Sequence, residues 1–151
     1  MQFVSREDAK ENKIIRGCGL SGVVERLVKV VIDTGLKLHI DLGPGLMESV
    51  YEGVLASRLE KLGMRVARQM PIKIEEDGLV FPEAFRADLV VENILLIELK
   101  SVESLMPVHA KQVLTYLRPA NMPIGLLMNF GADQFKEGLK RLVSNHVTDF
   151  R

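Results

Sequence analysis

Phe85-Arg86-Ala87-Asp88-Leu89-Val90-Val91-Glu92-Asn93-Ile94-Leu95-Leu96-Ile97-Glu98-Leu99-Lys100 is the stretch on which the fold turns. Two runs rich in Val, Leu and Ile flank the polar Glu92-Asn93, so the stretch reads as an antiparallel hairpin. A two-residue loop, Glu92-Asn93, would pair Val91 with Ile94 and put Asp88 and Glu98 on opposite faces. A three-residue loop, Glu92-Asn93-Ile94, pairs Val91 with Leu95. One face then reads Ala87, Leu89, Val91, Leu95, Ile97 and Leu99, wholly apolar. The other carries Asp88, Val90, Leu96, Glu98 and Lys100. A slip of one residue scrambles both faces, so the pattern favours the register that sets Asp88 beside Glu98. Asn93 suits the left-handed position such a loop needs, and a bulge would give the same result.

Glu98 and Lys100 then share a face about 7 Å apart along the strand. Charges closing an apolar strand are costly unless they pair or bind something. Two carboxylates on adjacent strands can hold Mg²⁺ through one or two oxygens, with the Leu99 main-chain carbonyl as a further ligand. Lys100 would orient an attacking water or offset charge in the transition state. The alternative is a surface salt bridge on the polar face of a two-stranded ribbon, and spacing alone does not choose between the two.

Upstream, helical spacing starts after Ser21, a reasonable N-cap, and carries Val23, Val24, Leu27, Val28, Val31 and Leu38 to about residue 42. Gly35 weakens this helix by about 1 kcal/mol relative to Ala. Gly43-Pro44-Gly45 breaks it. A second helix, about 46 to 62, has the stripe Met47, Val50, Tyr51, Val54, Leu55, Leu59 and Leu62, with Gly63 as its closing residue. Glu48 lies in its first turn, where a carboxylate is favoured by the helix dipole alone. Tyr51 and Glu52 can share its face. Residues 65 to 75 read as a strand in which Pro71 marks an edge or a bulge. Glu76-Asp77-Gly78 is a turn, and residues 79 to 81 extend the hairpin before Pro82.

Downstream, a helix from about 104 to 117 is capped by Ser104 and ended by Pro119, with Ala110, Val113, Leu114 and Leu117 inward. Gln112 and Tyr116 are i and i+4 on another face. They read either as a polar pair facing a substrate backbone or as a half-buried helix face. Residues 123 to 130 are nearly all apolar, as in a central strand buried on both sides. Strand, helix and strand in that order give a parallel crossover. In the tail, Phe135, Leu139 and Leu142 have helical spacing, while 139 to 143 also fits an edge strand. His39 and His109 read as satisfied interior histidines and His146 as exposed tail.

The 151 residues suit one domain (21–144) with an N-terminal arm (1–20) and a C-terminal tail (145–151). Twenty basic residues balance twenty acidic ones, so any nucleic-acid surface must be local. Cys18, the single cysteine, excludes an intrachain disulfide and a thiolate cluster and fits a reducing, cytoplasmic setting. No signal peptide or membrane-length apolar run appears. Zinc spacing of histidines, Gly-x-Ser-x-Gly, Gly-x-x-x-x-Gly-Lys and Gly-x-Gly-x-x-Gly are all missing.

Several blocks resemble a known family. Gly45-Leu46-Met47-Glu48-Ser49-Val50-Tyr51 is similar to the signature of the GxxExxY family. The blocks 39–45, 85–91, 97–100, 107–109, 112–117 and Asn129-Phe130-Gly131 follow that family in order, over about 23 to 143. That family is placed in the PD-(D/E)XK nuclease superfamily. The resemblance implies an α/β (α+β-like), restriction-endonuclease-like core with a central mixed sheet of about four strands flanked by helices. It implies an active centre of Glu48, Asp88, Glu98 and Lys100, with Gln112 and Tyr116 matching a Gln-x-x-x-Tyr motif. Ala87 stands where the superfamily motif has proline. The expectation is hydrolysis of DNA, or else RNA, using Mg²⁺ or Mn²⁺ held by Asp88, Glu98, Glu48 and the Leu99 carbonyl. The alternatives are a catalytically silent nucleic-acid- or protein-binding module, or a subunit whose partner, a second copy or another protein, supplies the basic surface.

Overall fold

A computed structural model of the protein describes residues 22–145. The arm, Cys18, Ser21 and His146 lie outside these residues. Three helices and five strands follow in the order α1 (Gly22–Leu42), α2 (Glu48–Lys61), β1 (Val66–Glu76), β2 (Leu79–Val91), β3 (Leu95–Lys100), α3 (Pro107–Ala120), β4 (Ile124–Asn129) and β5 (Leu139–Val143). The strands form one mixed sheet in the order β1-β2-β3-β4-β5. Only β3 and β4 are parallel, joined by α3.

Five strands replace the expected four because the tail resolves toward its strand reading. A short 3-10 turn, Phe135–Gly138, takes Phe135 into the core, and β5 then pairs antiparallel with β4 from Met128–Leu139 to Ile124–Val143. Half-buried Leu139 and Leu142 supply its inward side chains. Their spacing fits either element, and the free edge of β4 decides.

The expected register holds: Leu89, Val90 and Val91 pair with Ile97, Leu96 and Leu95. Glu92 and Asn93 both take left-handed backbone, with φ of 54° each. Ile94 N–H closes on Val91 O at 3.0 Å, leaving Ile94 as the extra residue before the ladder starts. Glu92 is held there by a reciprocal pair with Arg65: its N–H donates to Arg65 O (2.9 Å) and its carboxylate accepts from Arg65 N–H (2.6 Å). At the other end of the ribbon Asp77 and Gly78, both with positive φ, make the two-residue turn expected of Asp-Gly. Pro82 does not end β2. It sits where Ile72–Phe85 and Ile74–Phe81 leave three residues of β2 against one of β1, a bulge that needs no ladder N–H.

The sheet is covered on both sides. Helices α1 and α2 bury Val24, Val28, Val31, Leu38, Tyr51, Leu55 and Leu59 against Leu89, Val91, Leu95, Ile97, Leu99 and strand β4. Helix α3 buries Val113 and Leu117 against Ala87, Val90, Leu96 and Leu127. The expected stripe of α2 is corrected at Met47, Val50 and Leu62, which are exposed: the face toward the sheet runs through Tyr51, Leu55 and Leu59. Leu114 of α3 is likewise exposed. Helix α3 starts at Pro107 rather than at 104, because His109 Nδ1 accepts the Met106 N–H (3.0 Å) and so caps the helix in place of Ser104. It runs past Pro119 to Ala120 and closes on left-handed Asn121, since a proline in the last turn breaks one bond without stopping the chain.

His39 is the satisfied interior histidine expected, with Nε2 donating to Ala132 O at 2.8 Å. Gly35 is buried on the inner face of α1, and a Cβ there would lie 2.9 Å from Phe135 Cζ. Gly35→Ala is therefore expected to lose by crowding the buried ring more than the helix gains in propensity. The net cost is about 1–2 kcal/mol, read as a lower melting temperature.

Candidate active site at the open end of the central hairpin

The β2–β3 ladder stops at Leu89–Ile97, and carboxylates take over from there. Leu99 N–H donates to Asp88 Oδ2 at 2.8 Å, and Asp88 N–H points at Glu98 Oε1 at 3.4 Å. Each strand thus gives a backbone donor to a side chain of the other, where a regular ladder would bond main chain to main chain. The strands are held apart by the two carboxylates, which therefore stand side by side.

Glu98 is buried, with 8% of its surface exposed, while Asp88 and Lys100 are partly exposed. Burial, and then the charge of Asp88, push the Glu98 carboxyl up to about 8, and the nearby Lys100 ammonium pulls only partly against this. Tyr116 hangs over the same place from α3. Its hydroxyl is raised by burial and then by the charges of Glu98 and Asp88, and its ring stacks on Phe85 at 3.9 Å between centroids. Gln112 lies one turn earlier on that helix and is exposed.

Glu48 opens α2 and is exposed. The loop before it is tied to the link after β3 by Ser101 Oγ, which donates to Leu46 O at 2.6 Å. This brings the start of α2 to the carboxylate end of the sheet. Among the described residues, however, Glu48 has no hydrogen bond or ion pair with Asp88, Glu98 or Lys100, and no three acidic or histidine side chains converge as a ready metal cage. Tyr51 is fully buried and braces that loop: its hydroxyl donates to Gly43 O (2.6 Å), accepts from Leu46 N–H (3.1 Å), and its ring stacks on Phe130.

Two residues outside the expected site set are linked to Asp88, Gln69 directly and Glu52 through it. Gln69 Nε2 donates to Asp88 Oδ1 at 3.2 Å and to Glu52 Oε2 at 2.8 Å. Glu52 is 6% exposed and also pairs with Arg68 Nε at 3.2 Å. Glu52 shares a face with Glu48, one turn on, which was its only signal. Gln69 gave none, because its role comes from an irregular backbone: it has a φ of 50° in the middle of β1. The flanking pairs Arg68–Leu89 and Met70–Ala87 set it opposite Asp88. Both strands change face there. Val66 and Leu89 pack toward α1 and α2, whereas Met70, Ala87 and Phe85 pack toward α3. Ala87 consequently leaves the all-apolar face expected for it.

The model of the PD-(D/E)XK nuclease superfamily matches residues 25–142, most of the chain. The chain belongs to that superfamily. The five-stranded mixed sheet with flanking helices agrees with its fold. No curated protein and no solved structure matches the chain significantly. It is a nuclease superfamily, and its nucleases typically use divalent metals. No helix of the described residues is long and apolar enough to cross a membrane.

Proposed function

We propose that the protein is a PD-(D/E)XK nuclease of the GxxExxY type that hydrolyses phosphodiester bonds of DNA with Mg²⁺ or Mn²⁺. The observation that carries this reading is the gap in the β2–β3 ladder filled by Asp88 and Glu98. The residues there fit a hard divalent cation. Glu98 is a buried carboxyl that accepts only a long bond from the Asp88 N–H (3.4 Å), and Asp88 faces it with spare lone pairs. Burial first, and then the charge of Asp88, raise the Glu98 carboxyl, and a bound cation would offset both. Asp88 and Glu98 would hold the ion with the Leu99 carbonyl, and Glu48 would join from the start of α2.

A cation bound there supplies Lewis acidity toward the phosphate and acidifies an attacking water. The chain's own residues do the rest. Lys100, on the strand face beside Glu98, places its ammonium where negative charge grows on the phosphate and orients the water. Tyr116 and Gln112, one turn apart on α3, offer a hydroxyl and an amide to the phosphate backbone above the carboxylates. Burial of Glu98 keeps bulk water away from its side of the site.

The test is cleavage of single-stranded, duplex and branched DNA, with RNA alongside, in the presence and absence of Mg²⁺ or Mn²⁺. Glu98→Ala and Lys100→Ala are each expected to lower cleavage about a hundredfold or more. A chelator is expected to abolish it. Cleavage that both variants retain would remove the proposal.

A further inference from the structure

We propose that Glu52 and Gln69 are positioning residues for Asp88, acting as a clamp that fixes the angle of its carboxylate. This rests on the reading of Asp88 as a metal ligand. The Gln69 amide nitrogen has two hydrogens, and both are used: one goes to Glu52 Oε2 (2.8 Å), the other to Asp88 Oδ1 (3.2 Å). Asp88 Oδ2 is already tied to Leu99 N–H (2.8 Å). The carboxylate is therefore held at both oxygens, its plane is set, and its remaining lone pairs keep one direction. Glu52 orients the amide in turn. It is nearly buried and its other oxygen accepts from Arg68 Nε (3.2 Å), so the amide presents nitrogen rather than oxygen toward it.

The backbone supports a dedicated role. Gln69 adopts a left-handed φ of 50° in mid-strand, where L side chains are disfavoured. The cross-strand pair opposite Asp88 is the one missing between Val66–Val91 and Ile72–Phe85, ahead of the bulge at Pro82. A regular β1 would point the Gln69 side chain to one face of the sheet, out of simultaneous reach of α2 and of the gap beside β3. The irregularity lets one amide touch both. Strain kept at one residue next to two facing carboxylates is the pattern expected where geometry is selected for a site. Side chains that orient a metal-binding carboxylate tune affinity without touching the ion.

The discriminating variant is Gln69→Gly. Glycine takes this φ without the Cβ penalty, so the strand is kept and only the bridge is lost. Two readouts are needed, neither of them activity. The first is hydrogen exchange of the Leu99 amide in the metal-free full chain, referenced to Ile97. It is expected to accelerate about tenfold or more once Asp88 is free to turn. The second is Mn²⁺ titration by calorimetry, where affinity is expected to fall about tenfold to a hundredfold. Glu52→Ala should match Gln69→Gly in both, whereas Glu52→Gln, which still offers an oxygen to Gln69 Nε2, should stay close to wild type.

A simple staple between α2 and β1 would give a different result. Gln69→Gly would melt lower while Leu99 exchange and Mn²⁺ affinity stayed at wild-type values, and that outcome overturns the clamp. If wild-type protein takes up no Mn²⁺ and Leu99 exchange still accelerates in Gln69→Gly, the clamp stands and the metal reading of Asp88 falls.

Discussion

Glu98→Gln is expected to make the metal-free protein more stable than wild type at pH 8 while removing cleavage. The sign follows from the position of the Glu98 carboxyl. In the folded chain it is pushed up to about 8, whereas in the unfolded chain it titrates in the ordinary carboxylate range. Between those values the folded state keeps a proton that the unfolded state has released. Stability from Glu98 is thus fully present below the ordinary range and is lost as pH rises through about 8. The swing is on the order of a few kcal/mol, because desolvation and repulsion by Asp88 both act on a nearly buried group. A neutral amide has no such titration, and its NH₂ can donate to Asp88.

Melting of wild type in a chelator is therefore expected to drop by several degrees between pH 6 and pH 8, and melting of Glu98→Gln to change much less. Mg²⁺ should reverse the order. It binds the ionised pair of the wild type, so its stabilising effect grows with pH, and the variant should gain little. Parallel pH profiles for the two proteins in chelator would show that Glu98 titrates normally and that the crowding of carboxylates has no energetic weight.

This trade between stability and site also explains what the sequence revealed and what it hid. Hydrophobic alternation from Leu89 to Leu99 decides between the two-residue and three-residue loops, because a slip of one residue puts apolar and charged residues on both faces. That choice brought Asp88 to Glu98. Alternation fails two residues further out, at Ala87, because Gln69 and Asp88 break it together and both strands swap faces. A left-handed glutamine has no signature in the pattern; it looks like an ordinary outward polar residue. Glu52 stood on the same helix face as Glu48, but helical spacing could not tell which of the two turns inward. The packing of Tyr51, Leu55 and Leu59 decided it, burying Glu52 and leaving Glu48 exposed. The α3 cap was misplaced for a similar reason. Ser104 has the right chemistry, yet His109 Nδ1 already satisfies the Met106 N–H.

Asn129 carries the other large expected effect. Its amide is 1% exposed and satisfies three backbone groups at once: Oδ1 accepts from Val102 N–H and Gly131 N–H, each at 3.0 Å, and Nδ2 donates to Val102 O at 2.8 Å. The next residue, Phe130, donates its N–H to Lys100 O at 2.8 Å. The end of β4 therefore grips the chain on both sides of Ser101, whose hydroxyl in turn holds Leu46 before α2. Lys100 and the start of α2 take their places from this one junction. Asn129→Ala removes three hydrogen bonds and leaves their half-buried backbone partners unpaired. The expected cost is about 3–5 kcal/mol, or a melting temperature lower by about 10–20 °C. Asn129→Asp keeps the two acceptor contacts but loses the donor to Val102 O and buries a charge, so it should fall between wild type and Asn129→Ala. At temperatures where the variants remain folded, the loosened Lys100 should slow cleavage while Mn²⁺ uptake by Asp88 and Glu98 changes little. An Asn129→Ala protein that melts within about 2 °C of wild type, well inside the expected shift, would show that these bonds are incidental to both the fold and the placing of Lys100.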